Sequence, residues 1–559
     1  MSEKELIEII YNSNSWNDLI NKLNTIQCYK KRGTAFEWFC VFYTQIDPIY
    51  KTTYKNIYHS TEFMKKNDIS KKLGLKGKEE GTDIIGETYD GKLTIFQCKY
   101  KDENKRIESK DIASSIRIAT GKEASNWVDT IVMCSNLNKI TQNETLNNLD
   151  IQFKHLLEEN FKTLTKEDFD NIRLVIDKKT PTYKKVEPYR HQDIAIKKVI
   201  THFKENKNGQ LIHACATGKT LLSYFIFREI KPKLTLFVVP NLQLITQTLI
   251  EWTKESLADS SQISPFVICS DKSNEKIGEG NSELWRQELR IKVSNNIKDL
   301  DDFLKSSRKN KVIFSTYQSG PTLSENIKKL KQRINFAFFD EAHNTATKKG
   351  NLFSHLLFDD NVQIDQRLFM TATEKKFVGK DNRIASMDDE EIYGIVADRL
   401  TVDDGIEAGL LNDYQIITKN FSKDKLIKKW NENPLVFDIK KTSEEIPLKF
   451  LSLSIMIEKL KKEKNIKHIV SFHSSCSKAK RFSAIAKQLD NELNTYYIDG
   501  KLPGIKRNER IEDFSQNSPS IITNARCLSE GINMPIVDGI IFSDPKQSKI
   551  DIAQAIGRA

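Results

Sequence analysis

The stretch His213-Ala-Cys-Ala-Thr-Gly-Lys-Thr220 stands between a short apolar run and a helical stretch, Leu221 to Phe227. Its reading decides the fold. A glycine-bearing loop that leaves a strand and opens a helix presents backbone N–H groups and a helix N-terminus to an anion. Gly218 lets the backbone approach closely. Ala216 and Thr217 complete the loop, Lys219 reaches toward β- and γ-phosphates, and the Thr220 hydroxyl helps to hold Mg²⁺. Position 213 carries His where such loops usually begin with Gly, and His213 reads as a spectator.

Outward from this loop, short apolar runs alternate with amphipathic helical segments. They include Thr235-Leu-Phe-Val-Val239, Lys311-Val-Ile-Phe314, Phe336-Ala-Phe-Phe339, Leu368-Phe-Met370, His468-Ile-Val-Ser-Phe472, Ser520-Ile-Ile522 and Gly539-Ile-Ile-Phe542. Continuous apolar strands between helices predict parallel sheets covered on both faces, hence an α/β fold. Asp340-Glu-Ala-His343 follows directly on the strand ending at Phe339. That places Asp340 at a strand's carboxyl end, where ligands bind in open α/β sheets. Asp340 is expected to hold the Mg²⁺ shell and Glu341 to orient an attacking water.

The bulk properties agree with such a protein. The chain has 559 residues, which predicts about three or four domains. Hydrophobic residues make up 38% and charged residues 29%, so the chain is neither disordered nor membrane-embedded. Its net charge of +11 favours approach to a polyanion, although solvated lysine faces give the same excess. The eight cysteines stand singly with no CxxC pair, which argues against disulfides or a structural zinc and suits a reducing compartment. No apolar run is long enough to span a bilayer and no signal-peptide core is present, so a cytoplasmic address without membrane contact is expected.

The ordered series Tyr189-Arg-His-Gln192, Ala214 to Thr220, Val239-Pro-Asn241, Thr316-Tyr-Gln-Ser319, Asp340 to His343 and Thr371-Ala-Thr373 resembles the first motor domain of superfamily 2 helicases. Phe472-His-Ser474, Thr523-Asn-Ala-Arg526, Glu530-Gly531 and Gln554-Ala-Ile-Gly-Arg558 resemble the second. The resemblance covers about two-thirds of the chain. It implies two RecA-like lobes, at 189–395 and 396–559, with ATP between them. Gln192 then reads the adenine, and Gly531, Gln554 and Arg558 complete the nucleotide site, Arg558 from across the cleft. Pro240, Asn241, Thr316, Ser319 and Thr523 line a nucleic-acid track. Thr371 and Thr373 couple hydrolysis to lobe movement. The family's last motif usually continues to a second arginine three residues on, whereas the chain stops at Ala559, so a longer protein is expected. Asn533 stands where related sequences usually carry Asp.

Residues 1–178 form a separate region, joined by the polar, proline-bearing stretch 179–188. Here Thr82 to Tyr89 and Lys92 to Tyr100 flank Asp90-Gly91, a hairpin signal. Gln97 and Lys99 share a strand face. A carboxylate at Asp83 and the Gln97 amide oxygen suit a divalent metal, and Lys99 positions water and offsets phosphate charge. Register decides whether they meet. A two-residue turn pairs residues summing to 181 and sets Asp83 opposite Cys98, on the wrong face. A three-residue loop with Gly91 left-handed pairs residues summing to 180 and sets Asp83 opposite Gln97, which is the arrangement expected.

This pattern resembles the Mrr-like branch of the PD-(D/E)XK nucleases, in which Gln replaces the second acid. Glu37, in Thr34-Ala-Phe-Glu-Trp-Phe39, matches the family's early helix glutamate near the metal, and the alternative is a surface residue. Glu79, Glu80 and Glu87 read as solvated. The fused arrangement is similar to single-chain type I restriction enzymes and to motor subunits of type I and III systems. It implies an ATP-dependent translocase on duplex DNA with a Mg²⁺-dependent nuclease. Any methyltransferase and specificity region or subunit would lie beyond residue 559. The competing reading is a DNA or RNA processing helicase whose N-terminal domain only binds nucleic acid. An inactive scaffold is disfavoured by the intact Lys219, Asp340 and Glu341.

Overall fold

The computed structural model describes the chain except residues 76–80, 141–150, 270–286, 378–382, 419, 432–444, 501, 503, 526–533, 535, 545–551, 553 and 556–559. Three sheets organise the described residues. The first holds β1 (Tyr54–His59), β2 (Ile84–Thr88), β3 (Leu93–Lys99), β4 (Val128–Ser135) and β5 (Gln152–Leu156), side by side in that order. β1 to β3 run antiparallel, while β3 to β5 run parallel. Only the β2–β3 hairpin was legible as strand. β4 is buried on both faces while β1 and β5 mix buried and part-exposed positions, and their apolar runs are too short to separate from helix by periodicity.

One face of this sheet packs on the helix Tyr29–Ile46, which is apolar over most of its circumference. Phe36, Phe39, Phe96, Trp16 and Phe161 form the centre of that core. Ile85, Leu93, Ile95, Ile131 and Met133 form a second core on the opposite face.

The second sheet has seven strands: β6 (Asn208–His213), β7 (Leu234–Val239), β8 (Ser264–Ile268), β9 (Lys311–Thr316), β10 (Ile334–Phe339), β11 (Ile364–Thr371) and β12 (Ile395–Leu400). Their order is β12-β6-β11-β10-β7-β9-β8, and every pairing is parallel. β12 pairs with β6, so this lobe runs at least to Leu400 rather than ending at 395. The boundary was misplaced because Ile395 to Leu400 mixes apolar and charged residues, as an edge strand tolerates. The third sheet contains β13 (His468–Phe472), β14 (Asn494–Ile498), β15 (Ser520–Asn524) and β16 (Gly539–Phe542), all parallel, in the order β14-β15-β13-β16.

The stretch 179–188 is irregular, yet it is held at both ends. Asn171 brackets Thr182 with two hydrogen bonds of 2.8 Å, and Val186 N–H donates to Glu255. The N-terminal domain is itself seated on the second sheet's lobe. Ile49 enters that lobe's core, and Arg290 pairs with the buried Asp47 while donating to the Tyr43 hydroxyl at 3.0 Å. Gln152 grips the backbone of Val293 through both ends of its amide. The Arg308 guanidinium lies 4.5 Å from the Tyr89 ring centroid.

Candidate active sites

The loop after β6 has the geometry that an anion cradle needs. Ala216 and Gly218 both have positive φ, at 63° and 77°, and the helix Lys219–Ile230 begins immediately after. A Cβ on Gly218 would lie 2.7 Å from Gln192 Nε2 and displace that amide, and the positive φ itself favours glycine. The Lys219 ammonium donates to the carbonyls of His213 and Ala214 at 3.1 and 3.2 Å, folded over the loop. Gln192 donates to Gly218 O at 3.3 Å and accepts from Tyr189 N–H at 2.9 Å, so the segment at 189–192 is braced on the loop. His213 is buried and bonds Asp398 of β12 at 2.8 Å. It ties the loop to the sheet edge, a structural role.

Asp340 follows β10 directly and is buried. Burial first, and then the neighbouring Glu341 carboxylate, raise its pKa, while Lys219 opposes the rise. A buried carboxylate beside a part-buried one, both facing an ammonium, suits a cation that relieves the repulsion. Glu341 adopts a left-handed φ of 48°, and Tyr317 donates its hydroxyl to Asp340 O at 2.7 Å. His343 Nδ1 lies 3.0 Å from Thr371 Oγ1 and 3.4 Å from Glu341. The acidic motif and the Thr371-Ala-Thr373 motif are therefore in direct contact. Tyr317 and the His343–Thr371 link were not singled out from sequence, because both depend on neighbouring strands.

The track residues divide. Pro240 and Asn241 follow β7 and Thr316 ends β9, so all three sit at carboxyl ends of strands. Asn241 caps the helix Leu242–Ala258, accepting from Leu244 N–H at 3.0 Å. Thr316 and Ser319 are buried and bond each other at 2.8 Å, so this corner offers backbone rather than hydroxyls. Thr523 is the correction. It is fully buried in β15 and donates to Ala479 O at 3.0 Å, inside the lobe instead of on a nucleic-acid surface. Gln554 is described and buried, whereas Gly531 and Arg558 lie outside the described residues.

In the N-terminal domain, β2 and β3 pair with Ile84 opposite Phe96 and Glu87 opposite Leu93, which is the sum of 180. Thr88 N–H donates to Lys92 O at 2.9 Å across a three-residue loop in which Gly91 has φ 82°. Asp83 consequently meets Gln97. Its carboxylate accepts from Gln97 Nε2 at 2.5 Å and from Cys98 N–H at 2.6 Å. The Gln97 oxygen accepts from Ser115 Oγ at 2.8 Å, so the amide must turn over to offer that oxygen beside Asp83. Lys99 follows two residues along the same strand. Glu37 is half-buried on the helix Tyr29–Ile46, with His59 Nε2 4.0 Å from its carboxylate. Asp83 and the Gln97 amide are thus in contact, with Lys99 two residues along the strand, and a carboxylate, an amide and a lysine are a donor set that fits a hard divalent cation. His59 and Ser115 were missed, since each lies on an element far from the hairpin in sequence.

Fold and sites together define a superfamily 2 motor region preceded by a restriction-endonuclease-like domain. Residues 185–376 match the family described as "Type III restriction enzyme, res subunit". Residues 451–559 match "Helicase conserved C-terminal domain", and residues 45–180 match "Restriction endonuclease". These families imply ATP and a divalent metal.

Among solved structures, the chain is similar to one titled "ATP-dependent Type ISP restriction-modification enzyme LlaBIII bound to DNA". The identity is 23%, the TM-score is 0.78, and the likeness covers 98% of this chain and 36% of that one. That likeness fixes the fold of the whole chain. The chain is also similar to "Probable helicase A859L" of African swine fever virus (isolate Tick/South Africa/Pretoriuskop Pr4/1996). They are 24% identical over 347 residues, or 62% of this chain and 36% of the relative. It is 23% identical over 237 residues to "Putative ATP-dependent helicase IRC3" of Saccharomyces cerevisiae, covering 40% of this chain and 32% of the relative. The chain thus spans about a third of the length of the curated relatives it matches. No described helix is long and apolar enough to cross a membrane.

Proposed function

We propose that the chain is the motor and nuclease region of a restriction-like enzyme that moves along duplex DNA using ATP and cleaves it with Mg²⁺. One observation carries the reading. A phosphate loop facing the buried Asp340 and its neighbour Glu341, and a hairpin that joins Asp83 to Gln97, occur in one chain, on bodies that share a core through Ile49.

At the motor site, the backbone N–H groups of 216–218 and the Lys219 ammonium would hold the phosphate oxygens. Glu341 would orient the attacking water, with Thr220 and Asp340 placed to hold Mg²⁺. Arg558 and Gln554 would close on the nucleotide with Gly531 near it. The contact between His343 and Thr371 gives hydrolysis a mechanical route to the neighbouring strand, and the DNA track would follow Pro240, Asn241 and the backbone at 316–319.

At the nuclease site, Asp83, Gln97 and Glu37 would hold Mg²⁺, which supplies Lewis acidity and an activated water. Lys99 would orient that water and offset charge on the phosphate. The protein would act in the cytoplasm, and a methyltransferase and specificity region or subunit would supply target choice.

The test measures ATPase and cleavage on circular DNA for wild type, Lys219→Ala and Lys99→Ala. The proposal requires that Lys99→Ala keep ATPase and lose cleavage. Persistence of both activities in Lys99→Ala would remove the nuclease assignment. ATPase stimulated by RNA alone would remove the DNA assignment.

A further inference from the structure

The nuclease site has a neighbour that neither the hairpin nor its register explains. His59 is the last residue of β1, paired with Ile84, and the next residue, Ser60, donates its N–H to Asp83 O at 2.9 Å. The end of β1 is therefore fastened to the residue that carries the site's carboxylate. The His59 ring is buried and stacks on Trp38 at 4.1 Å with an angle of 19°. Trp38 follows Glu37 on the helix Tyr29–Ile46, so the ring is wedged between the strand bearing one expected ligand and the helix bearing another.

The hydrogen bonds of the ring decide which nitrogen carries the proton. Nδ1 lies 2.9 Å from Thr61 Oγ1 and accepts from Thr61 N–H at 3.4 Å. A backbone N–H can only donate, so Nδ1 is the acceptor and the neutral ring carries its proton on Nε2. That Nε2 is buried with no hydrogen-bond partner among the described residues. The Glu37 carboxylate lies 4.0 Å away, just beyond hydrogen-bond reach. A buried N–H without an acceptor costs about 1–3 kcal/mol, so the site gains when the carboxylate closes on it.

We propose that His59 is a positioning residue of the nuclease site, whose Nε2–H holds the Glu37 carboxylate in the orientation that binds the divalent cation. The inference rests on the nuclease reading of Asp83, Gln97 and Lys99. A hydrogen bond to one carboxylate oxygen leaves the other free for the cation and fixes its direction. Loss of such an outer partner typically weakens metal affinity or activity by on the order of 10- to 100-fold. Direct ligation by His59 would require the Nε2 lone pair, which the Thr61 contact assigns to the proton instead.

The experiment uses the full chain with His59→Phe, His59→Gln and Glu37→Gln. Two readouts are needed: calorimetric titration of Mg²⁺ in an ATP-free sample, and single-turnover cleavage against Mg²⁺ concentration. Phe retains the stack on Trp38 but loses the donor, whereas Gln can place an N–H near the position of Nε2. His59→Phe is expected to lower nuclease-site affinity by roughly 10- to 100-fold with ATPase unchanged, and His59→Gln to restore most of it. In the double variant with Glu37→Gln, His59→Phe should have little further effect. Wild-type affinity in His59→Phe would overturn the proposal, as would equal impairment of the Phe and Gln variants or additive losses in the double variant. Failure of the nuclease reading itself looks different: wild type does not cleave, and Lys99→Ala changes nothing.

Discussion

On the proposed reading, the motor site and the nuclease site solve the same problem, holding a metal against a phosphate, by opposite routes. The motor site is assembled at the carboxyl ends of parallel strands, where each strand delivers a contiguous motif. Ala216 to Lys219 follow β6, Asp340 to His343 follow β10, and Thr371 ends β11. The nuclease site is assembled across an antiparallel hairpin, where Asp83 and Gln97 belong to different strands and meet only if one loop has three residues. A one-residue slip leaves the first site intact and destroys the second. Backbone geometry protects the motor, whereas pairing register protects the nuclease.

The largest effect should come from Lys219→Ala, which removes the ammonium folded over the loop and proposed to hold the phosphates. We expect ATP hydrolysis to fall by on the order of 10²- to 10³-fold, measured by phosphate release, with Mg²⁺ affinity at the nuclease site unchanged. A similar fall in that affinity would show that the two sites are not separable.

Next, Lys99→Ala should lower single-turnover cleavage by a comparable factor, on the order of 10²-fold, while phosphate release stays at the wild-type rate. Loss of both would contradict the comparison.

Arg290→Ala probes how the two regions are joined. It strips the partner from the buried Asp47, and breaking a buried ion pair costs about 3–5 kcal/mol. Calorimetry should show the N-terminal domain melting apart from the motor, and protease should reach the stretch 179–188 sooner. A single unshifted transition would mean that Ile49 and Gln152 suffice.

The smallest effect belongs to Gln192→Ala. It removes one brace on the phosphate loop and, on the proposed reading, one adenine contact, worth about 1.4 kcal/mol in total, so KM for ATP should rise about tenfold with kcat little changed. An equal loss for GTP would show that the brace matters and the adenine contact does not.

Much of the motor was legible because its chemistry is local. Lys219 and Thr220 open a helix whatever surrounds them, and Asp340 follows an apolar run that is a strand in any reading. The hairpin register was legible too, since Asp90-Gly91 allows few loops and only one brings Asp83 to Gln97. Thr523 failed because a motif position says nothing about which way a strand residue points, and its hydroxyl is spent on Ala479. The lobe boundary failed at Ile395, where an edge strand carries too few apolar residues to be seen.

By itself the sequence determined where the helix after the 213–220 loop starts, where the strand before Asp340 ends and how long the β2–β3 loop is, since such features are set by residues close together in the chain. Only the tertiary structure decided that His59 lies beside Glu37, that His343 touches Thr371, and that Arg290 reaches Asp47. These pairs join elements far apart in sequence. Their meeting depends on how sheets and helices pack into shared cores, which no local pattern encodes.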